Sequence, residues 1–211
     1  MPELDKLHEA VIEGDWKAAS AATQAAIAAG VAPLTIVGGY LVPAMDEVGR
    51  RFDCEEYYVP EMLLSARAMK AAMEIVRPLL AATGAEPVGR VVIGTVKGDL
   101  HDIGKNLVAS MLEGGGFEVI DLGADVAPER FVEAAAARHA GLVALSALLT
   151  VTMGSMKTTI DAFQAAGLRE KVKIMVGGAP LTRQYADAIG ADGYTDSAGG
   201  AVALARRLVA A

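Results

Sequence analysis

The sequence predicts an α/β protein in two parts, a four-helix bundle followed by a doubly wound, five-stranded parallel sheet. Three observations carry this. Alanine- and leucine-rich segments at helical spacing fill residues 1–82. Short apolar runs alternating with amphipathic stretches fill 88–211. Between them AATGAEPVG (81–89), with small residues, one proline and two glycines, has the composition of a linker. A chain of 211 residues with 53% hydrophobic and 21% charged residues has enough apolar surface for real cores.

In the first part the spacing predicts helices over Glu3–Glu13, Trp16–Ala29, Pro33–Arg51 and Pro60–Leu80. Pro33 and Pro60 fall in first turns, where a missing N–H is tolerated. Val59, Met62, Leu63, Ala66 and Met69 follow the i, i+3, i+4 rule and predict one continuous buried stripe. Four short helices in sequence suggest a small antiparallel bundle.

In the second part the strands are RVVIGTV (90–96), FEVIDLG (117–123), GLVALS (141–146) and VKIMVGG (172–178), with a short fifth at ADGYT (191–195). Helices are expected over Gly104–Glu113, Pro128–His139, Met153–Ala166 and Leu181–Ile189, and from about Gly199 to the end. Strands apolar on both faces, alternating with amphipathic helices, imply a parallel sheet covered on both sides. The economical arrangement is the flavodoxin-like one.

Charge and cysteine content narrow the function. A net charge of −7 argues against nucleic acid or an anionic membrane as partner. A single cysteine, Cys54, excludes an internal disulfide and fits a reducing compartment. The opening MPELDKLHEAVIEGD is acidic where a signal peptide would be basic. Ala18–Met45 carries no charge, but it is alanine-rich and broken by Gly30, Pro33, Gly38, Gly39 and Pro43, which suits two soluble helices better than a span. A soluble, cytoplasmic protein is expected.

Ligands of doubly wound sheets bind at the carboxyl ends of the strands, beside the first. There the chain reads GTVKGDLHDIGKN (94–106), its densest concentration of chemistry. As a phosphate loop it fails: Gly98 to Gly104-Lys105 is one residue too long, and Asn106 replaces the hydroxyl that would hold magnesium. A closed zinc site fails too, because His8, His101, His139 and Cys54 show no ligand spacing. A third reading is a metallocofactor that supplies most of its own ligands. One imidazole then suffices, with a carboxylate two residues earlier to fix its tautomer. Against it stands a plain loop histidine capping a helix.

GDLHDIGKN resembles the signature of cobalamin-binding domains, D-x-H-x-x-G at Asp99, His101 and Gly104. S-x-L at Ser146-Ala147-Leu148 and G-G at Gly177-Gly178 follow in the family's order. LVPAMDEVGRRF (41–52) and YYVPEMLLSARAM (57–69) resemble the helical cap of methyl-carrying corrinoid proteins. These include the corrinoid subunits of methanol, methylamine and methoxyaromatic methyltransferase systems and the matching region of cobalamin-dependent methionine synthase. The likeness spans about residues 4–210, and implies a cap domain over 1–82 and a cobalamin-binding domain over 88–211.

By that resemblance His101 is the lower axial ligand of cobalt, and Asp99 hydrogen-bonds its imidazole. Thr152 stands where the family's relay has a hydroxyl, with a plain helix N-cap as the alternative. Gly98, Leu100, Asp102 and Gly104 complete the loop around the cofactor. Ser146, Leu148 and Thr150 line one side of the nucleotide tail and Gly177, Gly178, Tyr194 and Ala198 the other, although Tyr194 could equally be core. Phe52, Val59, Met62 and Leu63 match positions that cover the upper face of the corrin, while the role of Glu61 is open. The implied cofactor is cobalamin or a related corrinoid, cycling between cob(I)alamin and methylcobalamin, with hydroxocobalamin as the form for reconstitution. The implied partners are a donor-specific methyltransferase, an acceptor methyltransferase using tetrahydrofolate or coenzyme M, and a reductive activator. The chain is then a carrier rather than a complete enzyme. A cobalamin-based light or ligand sensor and the small subunit of an adenosylcobalamin mutase are the alternatives. The first normally carries a DNA-binding domain in front, and the second lacks the helical cap.

Overall fold

Each helix of the N-terminal half begins where a side chain or a proline suits its first turn. The computed structural model describes residues 2–82 and 87–210. These group into two units, Met1–Pro87 with Glu113–Gly116, and Val88–Leu112 with Phe117–Ala211. The helical unit comprises α1 (Pro2–Ile12), α2 (Trp16–Ala28), α3 (Pro33–Ile36), α4 (Val42–Asp53) and α5 (Val59–Ala82). Asp15 starts α2 by accepting the Lys17 and Ala18 amides, both at 3.0 Å. Of the expected linker, residues 81 and 82 close α5, and 83–86 lie outside the described residues.

The single helix expected over Pro33–Arg51 is instead divided by a π turn at Val37–Leu41, where the Val42 N–H bonds five residues back to the Val37 carbonyl. Pro43 explains the division. It has no N–H to give, and its ring crowds the carbonyl four residues earlier, so the turn before it widens. At the start of α5, Glu61 Oε2 accepts the Tyr58 N–H at 3.0 Å, half of a capping box. That is the structural role of Glu61.

The buried stripe of α5 differs from the expected one. Met62, Ala66 and Met69 are buried, but Val59 and Leu63 are exposed. Ser65 is buried in their place because its hydroxyl donates to the Ile12 carbonyl at 2.8 Å, which the Tyr57 hydroxyl also reaches at 3.2 Å. The Ser65 bond fastens the end of α1 onto α5, and the Tyr57 bond fastens it onto the segment just before α5. The turn that follows needs Gly14, at φ +73°, since a Cβ there would lie 2.6 Å from that of Leu64.

On α4, Arg50 and Arg51 hydrogen-bond Glu47 and hold its carboxyl at about 2 against an ordinary 4.5. A carboxyl depressed by folding contributes stability above its unfolded value and loses it as pH falls through the folded one. Glu47→Gln is therefore expected to carry a small, constant stability deficit down to pH 4.5 that closes as pH approaches about 2, measured by urea titration across that range.

The second unit runs β1 (Arg90–Thr95), α6 (Ile103–Gly114), β2 (Glu118–Asp121), α7 (Pro128–Arg138), β3 (Leu142–Ser146), α8 (Gly154–Ala165), β4 (Lys173–Gly177), α9 (Arg183–Ile189), β5 (Gly193–Tyr194) and α10 (Ala198–Ala210). The strand order is β2-β1-β3-β4-β5 with every pair parallel, the flavodoxin-like order. Residues 91–95 of β1 and 142–145 of β3 are buried throughout, as strands covered on both faces must be. Phe131 and Phe163 anchor the core against Val92, Val143 and Val176. The Phe131 ring occupies the space that a Cβ on Gly94 would need, 2.7 Å from that position.

Several boundaries differ from those expected. β2 keeps only four residues and β5 two, both being edge strands with a single neighbour to pair with. The helix expected from Leu181 begins at Arg183, because Thr182 Oγ1 accepts the Tyr185 amide and makes Thr182 the cap. A short 3₁₀ turn at Arg169–Lys171 was not legible in the pattern.

Parallel register places Thr95 beside Ser146, and Ser146 beside Gly177, in one row at the carboxyl ends of β1, β3 and β4. The next residue, Gly178, has φ +139°, and a Cβ there would fall 1.9 Å from the Ala147 carbonyl oxygen. Its glycine is thus needed to close one strand-end loop against another. Gly178→Ala is expected to destabilise the chain by about 1–3 kcal/mol, read from the denaturation midpoint.

Candidate functional site

The strand order reverses between β1 and β3, and the loops leaving these two strands flank the crevice where such sheets take their ligands. One side chain ties the two loops together. Asp99 is wholly buried, and its Oδ1 accepts the His101 amide at 3.0 Å and His101 Nδ1 at 2.8 Å. Its Oδ2 accepts the Leu148 amide at 2.8 Å, the Leu149 amide at 3.2 Å and the Thr152 hydroxyl at 2.7 Å. Burial alone would push this carboxyl up. The hydrogen bonds from Thr152, from the His101 and Leu148 amides and from the His101 ring outweigh burial and hold it well below the ordinary range.

An ionised Asp99 accepts only, so His101 Nδ1 carries the proton in this pair, which leaves Nε2 as the ring nitrogen that can offer a lone pair. The His101 side chain is 51% exposed while that of Asp99 is fully covered. Thr152 is not the cap of α8, whose first turn has no side-chain cap bond. Its buried hydroxyl reaches Asp99 Oδ2, with the Leu149 carbonyl as a second acceptor at 2.8 Å.

The loop itself is fixed from outside. Gly98, at φ +86°, donates its amide to Asp125 Oδ1 at 2.8 Å, and Lys97 pairs with Asp125 at 3.0 Å. Ser155 Oγ donates to the Lys97 carbonyl at 2.9 Å. The Asp102 carbonyl accepts the Asn106 amide and starts α6. Lys105, which a phosphate loop would present to its ligand, is buried against Asp121.

Around His101 the same two loops expose large apolar side chains. Leu100 and Ile103 are each 76% exposed, Val151 is 85% exposed, and Leu148 and Leu149 are exposed as well. Apolar groups held open beside a tautomer-fixed imidazole make a surface for a flat ligand that covers them. Gly104 leaves open space where a Cβ would stand, and a Cβ on Gly177 would make only an ordinary contact with the Thr195 carbonyl, at 3.5 Å.

Among the remaining expected residues, Ser146 is half-buried, Thr150 is exposed and Ala198 is buried. Tyr194 is half-buried, its hydroxyl donating to the Leu181 carbonyl at 3.0 Å and its ring 5.6 Å from the Arg183 guanidinium. In the helical unit Phe52 is half-buried, Met62 is fully buried, and Val59 and Leu63 are exposed beside Tyr58 and Leu64. Sequence reasoning passed over Thr95, Asp121, Leu149 and Val151. Thr95 and Asp121 carried a visible signal, each being a polar residue at the carboxyl end of an otherwise apolar strand.

The donor set decides the class. Among the described residues no three His, Cys, Asp or Glu side chains gather to hold a metal ion. A single imidazole with an available Nε2 suits a metal that brings its other ligands with it, as in a macrocyclic cofactor. The open apolar rim and the free Nε2 fit such a group.

Comparison with known proteins bears on the same point. Two family models, each described as a B12 binding domain, match residues 89–203 and 3–77. Trimethylamine corrinoid protein 2 of Methanosarcina mazei is 42% identical over 202 residues, 95% of this chain and 93% of the relative. A cobalamin-binding protein of Desulfitobacterium hafniense superimposes with a TM-score of 0.81 at 32% identity, covering 97% of this chain and 98% of that one. The methanol:cobalamin methyltransferase complex of Methanosarcina barkeri contains a chain that superimposes with a TM-score of 0.87 at 30% identity, covering 99% of this chain and 80% of that one. The chain belongs to the B12-binding corrinoid proteins, and its cofactor is a corrinoid. No helix among the described residues is long and apolar enough to cross a membrane.

Because Asp99 alone fixes the ring proton, Asp99→Asn is expected to leave His101 as a mixture of tautomers in the cofactor-free chain. Nitrogen-15 shifts of the ring check this against a single Nδ1–H form in the wild type, with a stability loss of about 1–3 kcal/mol from the misdirected amide donors.

Proposed function

We propose that this chain is the methyl-carrying corrinoid subunit of a methyltransferase system, with His101 Nε2 as the protein's donor to cobalt. The observation that carries the assignment of His101 is the 2.8 Å contact from its Nδ1 to a buried, ionised Asp99, with the imidazole side chain half exposed. When bound, the corrinoid supplies a cobalt centre that takes up a methyl group and hands it on.

The chain's own residues hold and orient. Asp99 keeps the proton on Nδ1 and the lone pair on Nε2, and Thr152 keeps Asp99 in place through its hydroxyl. Gly98, Leu100, Asp102 and Gly104 shape the loop. Leu100, Ile103, Leu149 and Val151 would be covered by the macrocycle and would then exclude water. Ser146, Leu148, Thr150, Gly177, Gly178, Tyr194 and Ala198 would flank the nucleotide tail. In this role Gly177 leaves room for the tail, whereas Gly178 serves the loop beside it. Phe52, Val59 and Leu63 would shield the methyl group, and Met62, which is fully buried, would support that face from within rather than touch the cofactor. For Val59 and Leu63 the support is direct, since two large apolar side chains on a helix otherwise packed into a core are left exposed.

A donor-specific methyltransferase is the proposed first partner. The relative from Methanosarcina barkeri is described as a methanol:cobalamin methyltransferase complex, and the Methanosarcina mazei relative as a trimethylamine corrinoid protein. An acceptor methyltransferase and a reductive activator complete the proposed system. The helical half, matched over residues 3–77, favours this reading over the small subunit of a mutase.

Reconstitution with hydroxocobalamin is expected to give stoichiometric binding and a histidine-ligated absorbance spectrum, which His101→Ala loses. Failure to bind a corrinoid would sink the carrier reading. An unchanged spectrum in the variant would remove His101 from the cobalt and leave the rest.

A further inference from the structure

Two buried polar features beside the His101 segment are not used by the Asp99 relay. Thr95 is fully buried at the end of an apolar strand, and its hydroxyl donates to the His101 carbonyl at 3.0 Å. Lys105 has a side chain only 1% exposed and is paired with Asp121 at the end of β2. The two features are linked. Asp121 Oδ1 accepts the Gly123 amide at 2.8 Å, and the Gly123 carbonyl accepts the Thr95 amide at 2.9 Å. The path then returns through the Thr95 hydroxyl to His101, four residues before Lys105 in the chain. The links close a ring: His101, the first turn of α6, Asp121, Gly123, Thr95 and His101 again.

Burying a lysine and a threonine where apolar residues of similar volume would pack carries a desolvation cost, so their presence here calls for a reason beyond stability. Both converge on one segment. We propose that Thr95 and the Lys105–Asp121 pair are positioning residues that hold the His101 backbone from the β2 side. Asp99 holds its ring from the β3 side. The backbone support sets how far Nε2 projects from the sheet edge, and through that how completely the imidazole occupies its place on the metal. The tautomer is left to Asp99. This inference rests on the reading of His101 as the cobalt ligand.

The test uses the full chain with and without hydroxocobalamin. Thr95→Val removes the hydroxyl at nearly constant volume, Thr95→Ser keeps it, and Lys105→Met removes the buried charge while leaving a long apolar stem. With cofactor, Thr95→Val and Lys105→Met are expected to bind but to shift the balance towards the histidine-free spectrum by roughly tenfold, while Thr95→Ser retains the wild-type spectrum. Without cofactor, hydrogen exchange of amides 99–104 quickens in the first two variants and not in the third. The His101 ring nitrogen shifts stay at wild-type values in all three.

A wild-type spectrum and wild-type exchange in Thr95→Val would overturn the proposal. So would faster exchange spread over the whole sheet, which is what a merely structural role produces. His101→Ala separates the two levels of the argument. If it matches the wild type, the ligand reading itself fails; if it differs and Thr95→Val does not, only the positioning role fails.

Discussion

A single buried carboxylate organises this protein's functional surface. Asp99 draws donors from its own loop and from the loop after β3, so it bridges the point where the strand order reverses. An isolated carboxylate at zero exposure would be expelled or protonated. Five donors converging on it make ionisation the favoured state, and that state dictates which imidazole nitrogen keeps its proton. The proton position on the His101 ring is therefore decided by hydrogen bonds made to Asp99 from two separate loops. The doubly wound fold is what brings the two loops side by side.

Part of this was legible in the sequence because part of it is local. Asp99 and His101 are two residues apart after an apolar strand, and that spacing lets one hold the other's ring. Thr152 is 53 residues away, so nothing local could choose between a relay hydroxyl and a helix cap. Distance along the chain also hid the Lys105–Asp121 pair, 16 residues apart, whereas the Thr95 bond spans only six residues and was hidden by the loop's conformation. The strand and helix order of the α/β half was readable from alternation, whereas the lengths of β2 and β5 depend on being edge strands, which only pairing reveals.

The helical half shows a different limit. Periodicity marked Val59 and Leu63 as part of one apolar face with Met62, Ala66 and Met69, but it cannot say which apolar positions meet other helices. The structure buries Met62, Ala66 and Met69 and leaves the other two exposed, with Ser65 taking a core place through its bond to Ile12. Pro43 likewise announced a disturbance without its form. The π turn before it keeps the backbone bonded where a kink would have left carbonyls without donors.

The bonds to Asp99 Oδ2 join positions separated by 49, 50 and 53 residues. Contacts of that span form only after β1 and β3 have paired and the loop-closure entropy between them has been met. During synthesis, residue 101 leaves the ribosome well before residue 152. A nascent chain thus presents its histidine early as an ordinary loop imidazole with either nitrogen protonated. Its ring is held by a fully bonded Asp99 only once the third strand and the turn beyond it have joined the sheet. The full set of bonds around Asp99 is in this way completed only after assembly of the sheet's centre, so the imidazole's environment is a late product of folding rather than a property of its loop.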